Sequence, residues 1–180
     1  MRVVVTGVAG FIGSSLARRL LERGDYVLGI DSFLDSYPRA IKESRLAQLQ
    51  ACQEFSFTEA NLAECDLQAA VGGADCIFHL AAQAGVRTSW GQRFEIYTES
   101  NIIATQRLLE AAKESGIRRF VYSSSSSVYG DAEVMPTPED TPLQPVSPYA
   151  VSKLAGEHLC NLYLQNYGVP TVALRYFTVY

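Results

Sequence analysis

The sequence contains few residues that support metal binding or disulfide formation. Only four of its 180 residues are cysteine and two are histidine. The cysteines include no C-x-x-C pair, and His79 and His158 lie far apart, without the spacing of metal ligands. We therefore predict no metal site, and we expect reduced thiols in a cytoplasmic protein.

Long apolar runs and an excess of positive charge are also missing. No stretch approaches the ~20 apolar residues of a membrane helix, and the first residues, from Met1 to Thr6, do not resemble a secretory signal. The net charge of −4 argues against nucleic acid or an anionic membrane as a partner. With 48% hydrophobic and 19% charged residues, the composition is that of an ordinary globular domain.

Strand-like and helix-like segments alternate along the chain. The hydrophobic patterns predict strands at 3–6, 26–30, 55–57, 76–80, 119–123 and 171–177, and helices at 11–23, 40–50, 62–71, 93–115 and 149–166. Such alternation favours an α/β fold, with a doubly wound parallel sheet covered by helices on both faces. A long surface loop is expected between Asp131 and Pro148, and loops of that length are often functional.

The first strand-to-helix turn carries a glycine pattern typical of dinucleotide binding. Gly7, Gly10 and Gly13 permit a tight turn, a close approach to a pyrophosphate and close packing of the helix on the sheet. The helix N-terminus adds free N–H groups for the phosphates. Asp31 ends the second strand, where a carboxylate can hold the adenosine ribose, and Ser32 and Phe33 supply no cation for a 2′-phosphate. We therefore expect NAD rather than NADP in a Rossmann-type domain spanning residues 1–180.

Tyr149 and Lys153 form a possible acid–base pair. They lie four residues apart, about one helical turn, so both side chains share one face of the predicted helix. A nearby ammonium lowers the pKa of a tyrosine, which would make Tyr149 a general base. Tyr-x-x-x-Lys alone is common on helix surfaces, and its place after the fifth strand of a dinucleotide fold is what favours catalysis.

Five consecutive serines follow the strand at 119–123. A run of serines usually indicates a flexible linker, but Ser123 to Ser127 are flanked by apolar residues on both sides. They also come at the carboxyl edge of the sheet, where such folds bind ligands. We therefore expect ordered hydroxyls, with those of Ser123 and Ser124 satisfied by packing contacts.

These motifs together resemble the extended short-chain dehydrogenases/reductases, and more narrowly the NAD-dependent nucleotide-sugar epimerases and dehydratases. The similarity covers essentially the whole chain and includes HLAAQAGVR (79–87), SSVYG (126–130), SPYAVSKLAGE (147–157) and LRYFTVY (174–180). The resemblance implies catalytic roles for Tyr149, Lys153 and Ser125. It implies cofactor contacts from Gly7, Gly10, Phe11, Ile12, Gly13, Asp31, Ser32, Asn61, Leu62, Leu80, Ala81, Ala82, Gln83, Asn101, Ser123, Tyr149, Lys153, Tyr176 and Phe177, and substrate contacts from Arg87, Ser125, Ser126, Ser127, Tyr149 and Thr178.

Two departures from the family pattern affect these expectations. Asn61 stands where many members have Asp beside the adenine, which weakens only that contact. Members run well past 300 residues, so we expect the C-terminal portion that holds the nucleotide part of the substrate to be absent from this chain.

The resemblance implies NAD-dependent 4-epimerisation of a UDP-sugar through a 4-keto intermediate. UDP-glucuronate is favoured over UDP-glucose because Thr178 replaces an Asn found in many neutral-sugar epimerases. A nucleotide-sugar 4,6-dehydratase and a UDP-glucuronate decarboxylase remain alternatives. The dehydratases carry Asp and Glu where this chain has Ser126 and Ser127, and the decarboxylases carry Ser and Glu there. A non-catalytic NAD-binding protein is a third hypothesis, and it would not need Tyr149, Lys153 and Ser125. By analogy, the helices near 93–115 and 149–166 imply a homodimer.

Overall fold

The computed structural model describes residues 1–132 and 134–180, in which strands and helices alternate. The strands are β1 (Arg2–Thr6), β2 (Tyr26–Asp31), β3 (Phe55–Glu59), β4 (Cys76–His79), β5 (Arg119–Ser125) and β6 (Thr171–Tyr176). The α-helices are α1 (Phe11–Glu22), α2 (Arg39–Gln50), α3 (Leu67–Val71), α4 (Phe94–Tyr97), α5 (Ala104–Lys113) and α6 (Pro148–Tyr167).

The six strands form one parallel sheet in the order β3-β2-β1-β4-β5-β6. The chain moves outward from β1 to β2 and β3, and then returns to place β4 on the other side of β1. This reversal leaves a crevice beyond the carboxyl ends of β1 and β4, which is where such sheets bind ligands. The predicted doubly wound α/β fold is confirmed.

Side chains of β1 supply both halves of the core because successive strand residues face opposite sides of the sheet. Val3 and Val5 pack in a cluster that includes Leu46 of α2. Val4 packs in a second cluster that includes Leu108 of α5. Helices therefore cover both faces, and the polar ends of the strands form one edge.

The helix predicted at 62–71 is wrong over its first half. The side chain of Asn61 accepts a hydrogen bond from the Ala63 amide at 3.0 Å, and its carbonyl closes a turn with Glu64 and Cys65. Asp66 then caps a new helix by accepting from the Gln68 amide. Side-chain bonding of this kind competes with helix formation, so only Leu67–Val71 is helical.

The helix predicted at 93–115 is present but is interrupted in its middle. A π-helical turn, Thr98–Ile103, separates α4 from α5. It contains Asn101, which is buried. Insertions of this kind often lie beside functional sites.

The serine run is ordered. Ser123, Ser124 and Ser125 complete β5, and Ser126–Tyr129 forms a 3₁₀ turn. The Ser125 hydroxyl caps this turn by accepting from the Ser127 amide at 3.2 Å. The run is therefore a strand end followed by a capped turn, and not a linker.

None of the helices in the described ranges combines the length and the apolar character needed to cross a membrane.

Candidate active site

A cleft of about 920 Å³ runs along the carboxyl edge of the sheet. That volume is typical of ligand pockets, which range over ~300–1,000 Å³. Most residues expected to contact a cofactor line it. They are Gly7, Gly10, Phe11, Ile12, Gly13, Asp31, Ser32, Leu62, Leu80, Ala81, Ala82, Gln83, Ser123, Tyr149, Lys153, Tyr176 and Phe177, together with Ser125.

The glycine turn has no room for side chains. Gly7 has a φ of +70°, and a Cβ added there would lie 2.7 Å from the Ala81 amide nitrogen. A Cβ on Gly13 would lie 2.2 Å from the Gly7 carbonyl oxygen. Gly10 precedes α1 and offers no capping oxygen, so the first amides of that helix remain free to bind an anion.

A series of buried hydrogen bonds holds the ends of β1 and β4 in place beside this turn. His79 is hydrogen-bonded to Thr6 Oγ1 at 2.8 Å and to Thr105 Oγ1 at 2.9 Å. Thr6 Oγ1 also accepts from the Ala81 amide at 3.1 Å. Burial, helped by the charge of Lys153, lowers the pKa of His79 to about 3, so the ring is neutral. This role of His79 was not predicted, because it depends on Thr105, a partner in α5.

Asp31 is buried at the end of β2. Its carboxylate accepts from the Ala9 amide at 3.1 Å and from the Phe33 amide at 2.8 Å. Ser32 and Phe33 supply no cation, but Lys42 does stand near this carboxylate, with its Nζ 3.8 Å from Asp31 Oδ1. Lys42 is contributed by α2, eleven residues further along the chain, and only the packing of α2 brings it here.

Tyr149 lies in the first turn of α6. Ser147 caps the helix by accepting from the Ala150 amide at 3.2 Å, and Pro148 occupies the first helical position, which it favours. Burial raises the pKa of Tyr149, and the Ser125 hydroxyl opposes the shift. The expected lowering by Lys153 is therefore wrong for this structure, because burial disfavours the phenolate more than the chain's own groups stabilise it.

Lys153 is buried one turn further along α6. Its ammonium donates to the Ser123 carbonyl at 2.9 Å and lies 5.2 Å from the centre of the Tyr122 ring. Burial lowers the pKa of Lys153 to about 8. This lysine therefore ties α6 to the end of β5, and both partners border the cleft.

Six of the expected site residues do not line the cleft: Asn61, Arg87, Asn101, Ser126, Ser127 and Thr178.

The side chain of Asn61 is occupied by the turn that precedes α3 and also donates to Glu99 at 3.4 Å, while Leu62 and Ala60 line the cleft instead. Arg87 and Thr178 are exposed. Ser127 accepts from the Ser125 hydroxyl at 3.1 Å, which places it directly behind a lining residue.

Asn101 supports the cleft from behind. Its side-chain oxygen accepts from the Gln83 amide at 2.7 Å. Its nitrogen donates to the Gln83 carbonyl at 3.0 Å and to Ser152 Oγ at 2.9 Å. Asn101 therefore links the segment after β4 to α6 and positions Gln83, which does line the cleft.

An ion pair behind the serine run was not predicted. Glu157 of α6 accepts from the Ser124 hydroxyl, and Arg175 of β6 donates to both carboxylate oxygens of Glu157 at 2.9–3.3 Å. Arg175 also donates to the Tyr129 hydroxyl at 2.9 Å and to the Glu139 carbonyl at 3.0 Å. The pair connects β5, α6, β6 and the long loop. The sequence feature that could have indicated this pair is the position of Glu157, one helical turn beyond Lys153.

Comparisons with known proteins agree with this geometry. The family model described as "NAD dependent epimerase/dehydratase family" matches residues 3–180. An uncharacterized UDP-glucose epimerase of Bacillus subtilis is 49% identical over 100% of this chain and 57% of its own length. A UDP-glucuronate 4-epimerase of Thermodesulfobacterium geofontis is 38% identical over 98% of this chain and 55% of its own.

A solved structure gives the same result. The UDP-glucuronic acid 4-epimerase of Bacillus cereus, in complex with UDP-glucuronic acid and NAD, superposes with a TM-score of 0.97 at 44% identity. The match covers 100% of this chain and 57% of that one. The chain thus spans a little over half the length of the relatives it matches. With its doubly wound sheet, its glycine turn and its Tyr149–Lys153 helix, the chain belongs to the NAD dependent epimerase/dehydratase family.

Proposed function

We propose that this protein is an NAD-dependent UDP-sugar 4-epimerase. The observation that carries the proposal is the convergence of Tyr149, Ser125 and Lys153 on one cleft that also contains the glycine turn. The similarity to UDP-sugar 4-epimerases supports the same assignment. Residues 1–180 form the dinucleotide-binding domain in this proposal, and a further substrate-binding portion, as in longer relatives, stays a prediction.

The residues of the cleft fit NAD. At Gly7 and Gly13 an added Cβ would meet the protein's own backbone, so only glycines let this turn approach a pyrophosphate closely. The uncapped start of α1, at Phe11 and Ile12, suits the pyrophosphate, and Asp31 supplies acceptors for ribose hydroxyls. Lys153 lies at the opposite side of the cleft, beside Ser123, where it would hold the nicotinamide ribose. When bound, NAD accepts hydride from C4 of the sugar and returns it.

Tyr149 moves the proton of the sugar 4-hydroxyl. Burial raises the pKa of Tyr149 in this structure even though Lys153 also lines the cleft, so the chain's own groups leave the phenol protonated at neutral pH. The pKa of Tyr149 would fall if an oxidised nicotinamide were bound beside it, because that ring carries a positive charge. Ser125, close to the phenol, orients the sugar oxygen. Tyr149 would thus act as a base only when NAD is bound.

Among the described residues, no acidic side chain lines the cleft beside the serine run, because Glu157 lies behind the run and is paired with Arg175; this favours epimerisation over elimination. Elimination of water across C5 and C6 needs an acid for the leaving hydroxyl and a base for the C5 proton. Asp31 and Asp35 are the acidic side chains among the described residues that line the cleft, and both lie at the proposed adenosine end. Ser126 and Ser127 can supply neither function at neutral pH. The 4-keto sugar therefore recovers its hydride instead of reacting further.

We propose a uronate as the preferred sugar. Hydroxyls of Ser126, Ser127 and Thr178 are suited to a carboxylate because they donate hydrogen bonds without adding charge. Replacing both Ser127 and Thr178 by Ala should reduce activity on UDP-glucuronate far more than on UDP-glucose. Equal losses would reject the role.

Assembly and location are further parts of the proposal. Ile103 and Val151 are exposed on the π turn and α6, which suits a homodimer formed through these helices. The four free cysteines, two of them buried, suit a cytoplasmic protein. We propose no membrane or nucleic-acid partner.

The proposal is tested by supplying the full-length protein separately with UDP-glucuronate, UDP-glucose and UDP-N-acetylglucosamine, and following each mixture by NMR. We expect the C4 epimer as product, fastest from UDP-glucuronate. A 4-keto-6-deoxy sugar or released carbon dioxide as the main product would assign the dehydratase or the decarboxylase activity. NAD binding with no turnover of any nucleotide sugar would favour the non-catalytic alternative.

A further inference from the structure

A buried lysine that the proposed mechanism does not use lies beside Asp31. Lys42 projects from α2 and is only 5% exposed. It nevertheless lines the cleft, together with Tyr37 and Leu34 from the segment that precedes α2. Buried lysines are rare unless they are paired, so we expect an anionic or hydrogen-bonding partner for the Lys42 ammonium.

The ammonium of Lys42 has only part of its bonding capacity filled. Nζ donates to the Leu34 carbonyl at 2.8 Å, which is its one hydrogen-bond acceptor among residues 1–132 and 134–180. It lies 3.8 Å from Asp31 Oδ1, an ion-pair distance too long for a hydrogen bond. An ammonium has three donors, and the other group facing Nζ is the Tyr37 ring at 5.2 Å, so an N–H without an oxygen acceptor among the described residues remains for a ligand in the cleft.

Asp31, in contrast, is held firmly by the backbone. Its two oxygens accept from the amides of Ala9 and Phe33. The carboxylate is therefore fixed where the adenosine ribose is proposed to bind, with the ammonium of Lys42 next to it. Arg45 extends the positive charge, since it donates to the Tyr37 hydroxyl at 2.9 Å.

We propose that Lys42 is a specificity-determining residue, and that this end of the cleft is a phosphate site blocked only by the charge of Asp31. The inference rests on the proposed function, because it assumes that the adenosine of a dinucleotide binds beside Asp31. A 2′-phosphate bound here would be repelled by Asp31 and attracted by Lys42, whose Nζ lies 3.8 Å from Asp31 Oδ1. The cation that NADP requires is thus already in place, and one neutralising substitution exposes it.

The test measures binding of NAD and NADP by calorimetry to the full-length protein, so the readout does not depend on turnover. Asp31→Asn keeps an acceptor for one of the two amides and removes the charge. We expect it to lower the Kd for NADP at least tenfold. Lys42→Met alone should raise the Kd for NADP, and the double variant Asp31→Asn/Lys42→Met should lose most of the gain.

Glu43→Gln is the matched control, because it removes one negative charge from α2 beside Lys42 but outside the cleft lining. It should leave both Kd values within about twofold, since Glu43 is an exposed partner of Arg39 and exposed charges are screened by salt. Circular dichroism establishes that each variant is folded. An unchanged Kd for NADP in folded Asp31→Asn, or equal NADP binding with and without Lys42, would overturn the inference while leaving the proposed function intact. Failure of the unaltered protein to bind NAD would instead remove the proposed function.

Discussion

Glu157→Ala should destabilise the fold strongly, because the Glu157–Arg175 pair joins three elements behind the serine run. The Glu157 and Arg175 side chains are 10% and 24% exposed, and Ser124 also donates to the carboxylate. Removing one partner of a buried pair costs ~3–5 kcal/mol. Arg175 is partly exposed and keeps its bonds to the Tyr129 hydroxyl and the Glu139 carbonyl. We therefore expect the lower end, about 3 kcal/mol of unfolding free energy.

This loss converts to a fall in Tm of about 6–12 °C, since 1 kcal/mol shifts the Tm of a domain of this size by ~2–4 °C. Thermal denaturation followed by circular dichroism measures it. Glu22→Ala is the control, because Glu22 pairs with Arg19 on the exposed face of α1 and such pairs contribute ~0–1 kcal/mol. A Tm for Glu157→Ala no lower than that of Glu22→Ala would refute the reasoning.

Three other substitutions test the site and its supports. Tyr149→Phe should keep the fold and NAD binding but reduce turnover by ~10²–10⁴, because only the ionisable oxygen is lost; near-normal rates in a nucleotide-sugar assay would reject Tyr149 as the base. Gly7→Ala should weaken NAD binding at least tenfold and lower the Tm, because the new Cβ would meet the Ala81 backbone. Gly24→Ala is its control: Gly24 has a φ of +84° and open space around it, so this substitution should lower the Tm without affecting NAD binding. His79→Gln should flatten the pH dependence of the unfolding free energy. The pKa of His79 is about 3 in the folded protein and 6.5 in the unfolded chain, so below pH 6.5 the unfolded chain binds a proton that the folded protein does not. The unfolding free energy therefore falls by about 1.4 kcal/mol per pH unit as the pH drops below 6.5. Urea titrations between pH 4 and 7 would show this slope, and an equal slope in His79→Gln would contradict it.

The strands and the glycine turn could be predicted because their signals are local. A short apolar run followed by closely spaced glycines determines both β1 and the start of α1. The apolar spacing at 62–71 predicted one continuous helix, which was wrong because a polar turn followed by a short helix has the same apolar spacing. The choice between them depended on Asn61 and Asp66, whose side chains bond the backbone amides that a continuous helix would use.

The electrostatics of the site could not be read from the sequence. Tyr149 and Lys153 share a helix as predicted, but the burial of each group determines its pKa, and burial depends on the whole sheet. Lys42 is distant from Asp31 in the chain and reaches it only through the packing of α2. Arg175 similarly meets Glu157 because β6 pairs with β5.

The central claim is that hydride removed from C4 returns to C4 with no chemistry at C5. The most direct test is to run the reaction of the full-length protein on UDP-glucuronate in D₂O and to examine the product by NMR. The account predicts the C4 epimer with no solvent deuterium on any ring carbon, because the transferred hydride never exchanges with water and C5 is never deprotonated. Deuterium at C5, or loss of the carboxyl carbon, would contradict it.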